Sequence, residues 1–141
     1  MNKSSKFALA ASALALASGA AAGTAAAAVS PAAAVAPAPG FDVTGTWSFG
    51  QSNGSSGTLT LIQDSAGNLT GSATGPSGWT GTLASGSQVD GTYIIFTIDW
   101  SNGKVGEYTG ALQSNGTLFG HTVALTNTAA QASWFTVQTF S

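Results

Sequence analysis

The 141-residue chain has no cysteine and no arginine, a single histidine, and charged residues at only 6 % of its positions. Without cysteine there is no disulfide framework and no thiol to carry a lipid anchor, so stability must come from an apolar core. Lysine stands only at positions 3, 6 and 104. Beyond the first segment, Lys104 alone faces Asp42, Asp64, Asp90, Asp99 and Glu107, one cation against five carboxylates and a net charge of −4. Such a balance lacks the basic footprint of nucleic-acid binding and of attachment to anionic lipid. A single His121 leaves a Ser/His/Asp arrangement one route only, and scattered carboxylates around one imidazole do not make a metal site. Asp99 and Glu107 are expected on one outer face of adjacent strands, where they read as solubilising charges rather than a hydrolytic pair. No enzymatic activity, cofactor or metal is expected.

The first residues read as an address. Lys3 and Lys6 precede an Ala/Leu-rich stretch from Phe7 to Ala22, followed by small-residue cleavage sites at Ala20-Ala21-Ala22 and Ala26-Ala27-Ala28. The stretch falls short of the about 20 strongly apolar residues that a membrane span needs. Residues 1–28 are therefore read as a signal peptide cleaved after Ala22 or Ala28, residues 29–40 as an extended Ala/Pro linker, and 41–141 as the folded domain of a secreted protein.

From Phe41 onward the vocabulary is strand and turn. Apolar/Thr alternations are broken every eight to twelve residues by glycine-bearing turns, among them Ala66-Gly67, Ser85-Gly86, Asp90-Gly91, Ser101-Asn102-Gly103 and Ser114-Asn115-Gly116. No segment beyond the leader shows an apolar period of 3.6. The pattern predicts an all-β fold, an eight-stranded antiparallel up-and-down barrel. Its strands are expected at Val43–Phe49, Gly57–Gln63, Asn68–Thr74, Trp79–Ala84, Thr92–Trp100, Val105–Gln113, Thr117–Leu125 and Ala132–Phe140.

Turn chemistry sets the register. Read as three-residue hairpins with glycine in the left-handed position, the two Ser-Asn-Gly turns pair Trp100 with Lys104 and Gln113 with Thr117. Phe96, Ile98 and Trp100 then share an inner face with Gly106, Tyr108, Gly110 and Leu112, continued by Leu118, Gly120 and Thr122, large rings beside glycines. Tyr93, Ile95, Phe119, Val123 and Leu125 fall outside, an apolar group that predicts a homo-oligomer. A rival register, with Asn115-Gly116 as a two-residue turn, sends Phe119 inward.

Certain motifs go further. Val43-Thr44-Gly45-Thr46-Trp47, Leu69-Thr70-Gly71, Thr97-Ile98-Asp99-Trp100, Tyr108-Thr109-Gly110 and Ala132-Ser133-Trp134 resemble, in order, segments of the avidin and streptavidin family. The resemblance spans most of Phe41 to Ser141 and implies an eight-stranded barrel, often dimeric or tetrameric, with biotin in its mouth. It makes Trp100 an aromatic wall of the pocket and Tyr108 the replacement of a family tryptophan. Thr122 falls where the family has another pocket tryptophan, and Trp134 corresponds to the tryptophan lent by a neighbouring subunit. Where the family holds the ureido group with a Tyr and a Ser/Asn pair, this chain offers Ala73, Phe49 and a differently spaced Gln51-Ser52-Asn53. Biotin is thus not the favoured ligand.

Four tryptophans, at 47, 79, 100 and 134, are either core filling or the lining of a mouth. The favoured reading is a small, partly apolar ligand held by Trp47, Trp79, Trp100, Tyr108, Thr122 and Trp134. The alternative is a structural or adhesive protein of the cell surface or biofilm matrix, suggested by sparse charge and Thr/Gly/Ser-rich strands.

Overall fold

Strands follow where β-branched and aromatic residues alternate with Thr and Ser, because one face can then be buried while the other stays solvated. A computed structural model describes residues 37–141. The expected signal peptide, and the linker up to residue 36, lie outside the described residues. The strands are β1 (Gly45–Gln51), β2 (Ser56–Gln63), β3 (Leu69–Thr74), β4 (Thr80–Leu83), β5 (Gln88–Asp90), β6 (Tyr93–Trp100), β7 (Val105–Leu112), β8 (Leu118–Ala124) and β9 (Asn127–Phe135). All pairings between them are antiparallel, and β4 joins β6 while β1 joins β9, so the sheet closes on itself. The result is an eight-staved up-and-down barrel. No helix among the described residues is long and apolar enough to cross a membrane.

Nine strands make eight staves because the fourth is broken. Gly81–Leu83 pair with Trp100–Ile98, and after a turn at Ser85-Gly86 Gln88–Asp90 pair with Ile95–Tyr93. Ser87 stitches the break. Its buried hydroxyl donates to the Ala84 carbonyl at 2.9 Å and accepts the Thr97 N–H at 3.2 Å, so neither backbone group is left unpaired. The expectation of one continuous strand Trp79–Ala84 missed this second piece.

Both Ser-Asn-Gly turns adopt the three-residue form. Trp100 N donates to Lys104 O at 2.9 Å and Gln113 N to Thr117 O at 2.8 Å, with Gly103 and Gly116 at φ 81° and 83°. The Asn102 and Asn115 side chains accept the N–H two residues on, at 3.1 Å in each turn. The rival register is thereby excluded. Phe119 points outward and is 46 % exposed.

The last strand is the main correction. It runs Asn127–Phe135 rather than Ala132–Phe140. Its first half, Asn127–Gln131, is exposed and small, so no apolar alternation announces it. Thr136–Phe140 instead leaves the ladder and crosses one end of the barrel. Thr136 Oγ1 accepts Leu118 N at 3.0 Å, Phe140 N donates to Gly116 O at 2.8 Å, and the Phe140 ring meets Trp47 edge-on at 5.2 Å. Phe41 and Val43, both buried, fill the same end. Pro39 and Gly40, expected in the linker, belong to it too: Pro39 bridges to Gly91, and Gly40 N donates to Gly91 O at 2.8 Å.

Side chains fill the axis between the two ends. Trp47, Phe96, Tyr108 and Trp134 interlock through edge-to-face contacts and one stacked pair, Phe96 on Tyr108 at 4.8 Å and 4°. Glycines admit these rings. A Cβ on Gly110 would lie 2.6 Å from the Trp134 ring, and one on Gly106 would lie 3.0 Å from that of Tyr108. The outer wall of β1 and β2 is hydroxylic, with Thr46 and Thr60 at 3.0 Å and Ser48 and Thr58 at 3.3 Å.

Candidate functional site: the open end of the barrel

The end opposite Phe41 and Phe140 carries the turns Ser52–Ser55, Gly75–Trp79 and Ser101–Lys104, together with the β8–β9 turn. A cleft of about 240 Å³ opens among them, lined by Gln51, Trp79, Trp100, Lys104, Tyr108, Thr122 and Gln131, with smaller neighbours. Its shape follows from local chemistry. Pro76–Gly78 forms one 3₁₀ turn, closed by Gly75 N donating to Trp79 O at 2.7 Å, with Ser77 in the left-handed region at φ 58°. That turn delivers Trp79 to the rim, 37 % exposed. Trp100 is half-buried at the end of β6, and Gly75 is glycine because a Cβ there would meet the Trp100 ring at 2.9 Å.

Tyr108 forms the floor. Its ring is buried against Phe96 and Phe49, and its hydroxyl accepts the Gln51 amide N–H at 3.3 Å. Burial pushes the phenol above its ordinary range, while polar contacts from Thr122, Gln51 and Trp100 pull the other way. Gln51 is itself fixed. Its backbone N donates to Ser55 O at 2.8 Å and its Oε1 accepts from Asn53 at 3.4 Å. The adjoining Ser52 N donates to Ser133 O at 2.9 Å, tying the turn to β9. At the rim the Lys104 ammonium sits 5.4 Å above the Trp79 ring.

Of the six residues proposed from sequence, the fold brings four together here: Trp79, Trp100, Tyr108 and Thr122. It places Trp47 and Trp134 elsewhere. Trp47 lies toward the closed end, its indole N–H donating to Val43 O at 3.0 Å. Trp134 is fully buried at mid-height, its N–H donating to Thr109 O at 3.0 Å, which leaves no free ring to lend to a neighbour. Both are core. Sequence reasoning passed over Gln51, Lys104 and Gln131 as site residues. The signal for the first two was their place at strand ends beside Ser-Asn-Gly or Ser-Asn turns, where a barrel puts its mouth.

Other chemistry is dispersed. His121 lies on the outer wall opposite Thr109, with Phe119 edge-on at 6.2 Å. Glu107 pairs with Thr97, and Asp99 with Val105, on the outside. Among the described residues no three His, Asp or Glu converge on a point that could hold a metal. None of their buried side-chain nitrogen or oxygen atoms lacks a hydrogen-bond partner. The axis therefore holds no polar group that a ligand would have to satisfy, and recognition belongs to the mouth. A second concavity, about 630 Å³ and open, lies on the outer wall between Tyr93, Ile95, Ala111, Phe119 and His121.

Compared with known proteins, the chain matches no family model and no curated protein.

Proposed function

We propose that this is a secreted, non-enzymatic barrel that holds a small, partly apolar ligand at its open end. The observation that carries the reading is the cleft itself: two accessible indoles flank a buried phenol whose hydroxyl accepts from Gln51, with Thr122, Lys104 and Gln131 among the polar groups around them. The ordered likeness to avidin motifs supports the same end of the same architecture. Size narrows the occupant. At about 240 Å³ the cleft is smaller than a drug-sized pocket, and Tyr108 blocks entry to the axis. A single ring with a short arm suits it better than biotin lying deep in a barrel. The test is tryptophan fluorescence with biotin, small ureides and small aromatic metabolites. Ligands should shift emission in the parent protein, lose that effect in Trp100→Ala, and keep it in Trp47→Phe. A flat response across the panel, with no change in melting temperature, ends the proposal.

Self-association belongs to the same reading. Tyr93 is 69 % exposed, and Phe119 and Leu125 are exposed on the same outer wall as half-buried Ile95 and Val123, a concentration of large apolar groups that favours an interaction surface. The occupant is a second copy. Tyr93 and Phe119 stand as ridges beside a groove floored by Thr109 and Ala111, so a two-fold-related copy offers a ridge to each groove. The matrix-protein alternative loses one of its physical grounds, because a closed barrel has no long free edge for strand pairing.

A further inference from the structure

Charge is not spread evenly over this barrel. Lys104 is the only lysine or arginine among the described residues, and it stands on the rim of the open end. No Asp or Glu lines that cleft. Asp42 and Asp64 border a separate concavity at the closed end, Asp90 flanks the β5–β6 turn, and Asp99 and Glu107 face outward from β6 and β7. An acidic protein has thus kept its one cation at the mouth, with three carboxylates toward the closed end. Asp99 and Glu107 are turned to the outer wall, Asp99 close to the open end. The ammonium is also positioned. The Trp100–Lys104 turn is closed by two backbone bonds of 2.9 Å and by Asn102 accepting Lys104 N at 3.1 Å, while the Trp79 face holds the side chain at 5.4 Å.

We propose that the mouth selects small acids: a ring against Trp79 and Trp100, with a carboxylate on a short arm meeting the Lys104 ammonium. This rests on the open end being a ligand site, and it names the ligand class. Trp79 and Lys104 line the same cleft, so acid and ring are recognised together. Opposite charge in a site without competing carboxylates favours the anion over its neutral and cationic analogues.

Phenylacetate, phenylacetamide and phenethylamine differ in charge on one framework and test this directly. Titrated into the parent protein and followed by tryptophan emission, the acid should bind about fivefold tighter than the amide, the scale of a half-exposed ion pair, and the amine weakest. Lys104→Met should bring acid and amide to equal affinity, Lys104→Arg should retain the preference, and added salt should reduce it. Circular-dichroism melts should show both variants folded, since Lys104 is exposed. Equal binding of acid and amide by the parent protein, or tighter binding of the amine, overturns the charge assignment while the site stands. If none of the three probes binds while biotin, a ureide or another aromatic metabolite does, the acid assignment falls and the site stands; no response to any of them refutes both.

Discussion

Replacing Gly110 by Ala puts one methyl group where the fold has none to spare. The new Cβ would sit 2.6 Å from Cζ2 of Trp134 and 2.9 Å from the Phe119 carbonyl oxygen, against the 3.4 Å at which ordinary contact begins. Trp134 cannot simply retreat. Phe96 and Tyr108 hold it edge-on at 5.5 and 6.3 Å, and moving the indole along the wall breaks its 3.0 Å bond to Thr109 O. Overpacking of this kind costs about 1–3 kcal/mol and the lost bond about 1 more. We expect Gly110→Ala to destabilise by about 2–4 kcal/mol and to lower Tm on the order of 10–20 °C for a domain of this size. The diagnostic is a double-mutant cycle in guanidinium, read by circular dichroism. Trp134→Phe removes the atom that clashes, so the glycine substitution should cost about 1 kcal/mol less in that background, the remainder coming from the Phe119 carbonyl. Gly81→Ala is the control. Its methyl group meets Ile98 and the Trp100 ring, on the β4–β6 side of the wall and away from Trp134, so Trp134→Phe should leave its penalty untouched. A Gly110→Ala effect within 0.5 kcal/mol of zero, the range of ordinary surface substitutions, would refute the ring-on-glycine account of the wall. Strict additivity with Trp134→Phe would refute it equally.

Ile95→Lys or Val123→Glu should leave the barrel folded and convert an oligomer to monomer in sedimentation velocity; a parent protein already monomeric at micromolar concentration sinks the outer-wall interface. In a Tyr93→Phe background Tyr108 is the only tyrosine, and its tyrosinate absorbance should appear above the ordinary phenol range because burial favours the neutral form. The native state then holds this proton more tightly than the unfolded chain does. Stability should therefore be unaffected below the unfolded phenol's pKa of about 10 and fall as pH rises through it, a slope that Tyr108→Phe removes. Normal ionisation of Tyr108 in the native protein would contradict its burial.

Which residues face inward was legible in the sequence, and how high they sit along the axis was not. Alternation with a period of two assigns each side chain to a wall, and two Ser-Asn-Gly turns fix the register of β6, β7 and β8 to the residue. With both turns in the three-residue form Phe119 falls outside and Phe96 inside; the sequence left a two-residue form of Asn115-Gly116 open, and the Gln113–Thr117 bond excludes it. Depth depends on strand tilt and stagger, which no local pattern encodes, so Trp47 and Trp134 read as mouth residues when they are core. The missed pieces, β5 and the first half of β9, share another cause. Gln88–Asp90 carries one apolar residue, and Asn127–Gln131 buries nothing, so neither offers the amphipathic signal on which a strand is recognised. Gln51 and Lys104 became site residues only through the convergence of four turns at one end.

The first strand of this barrel takes the last one as its neighbour. β1 meets β9 through only two register pairs, Gly50 with Phe135 and Gln51 with Trp134. During synthesis, β1 can zip to β2 as soon as both have emerged, yet its other flank stays open until nearly the whole domain has been made. Closure is therefore a late, sequence-distant event that local hairpins cannot hasten, and the loop entropy it must overcome is set by the whole length of the barrel. For that interval the nascent sheet carries two free edges and an uncovered aromatic face, and the time it spends in that state, more than the stability of the finished ring, sets its exposure to misassembly.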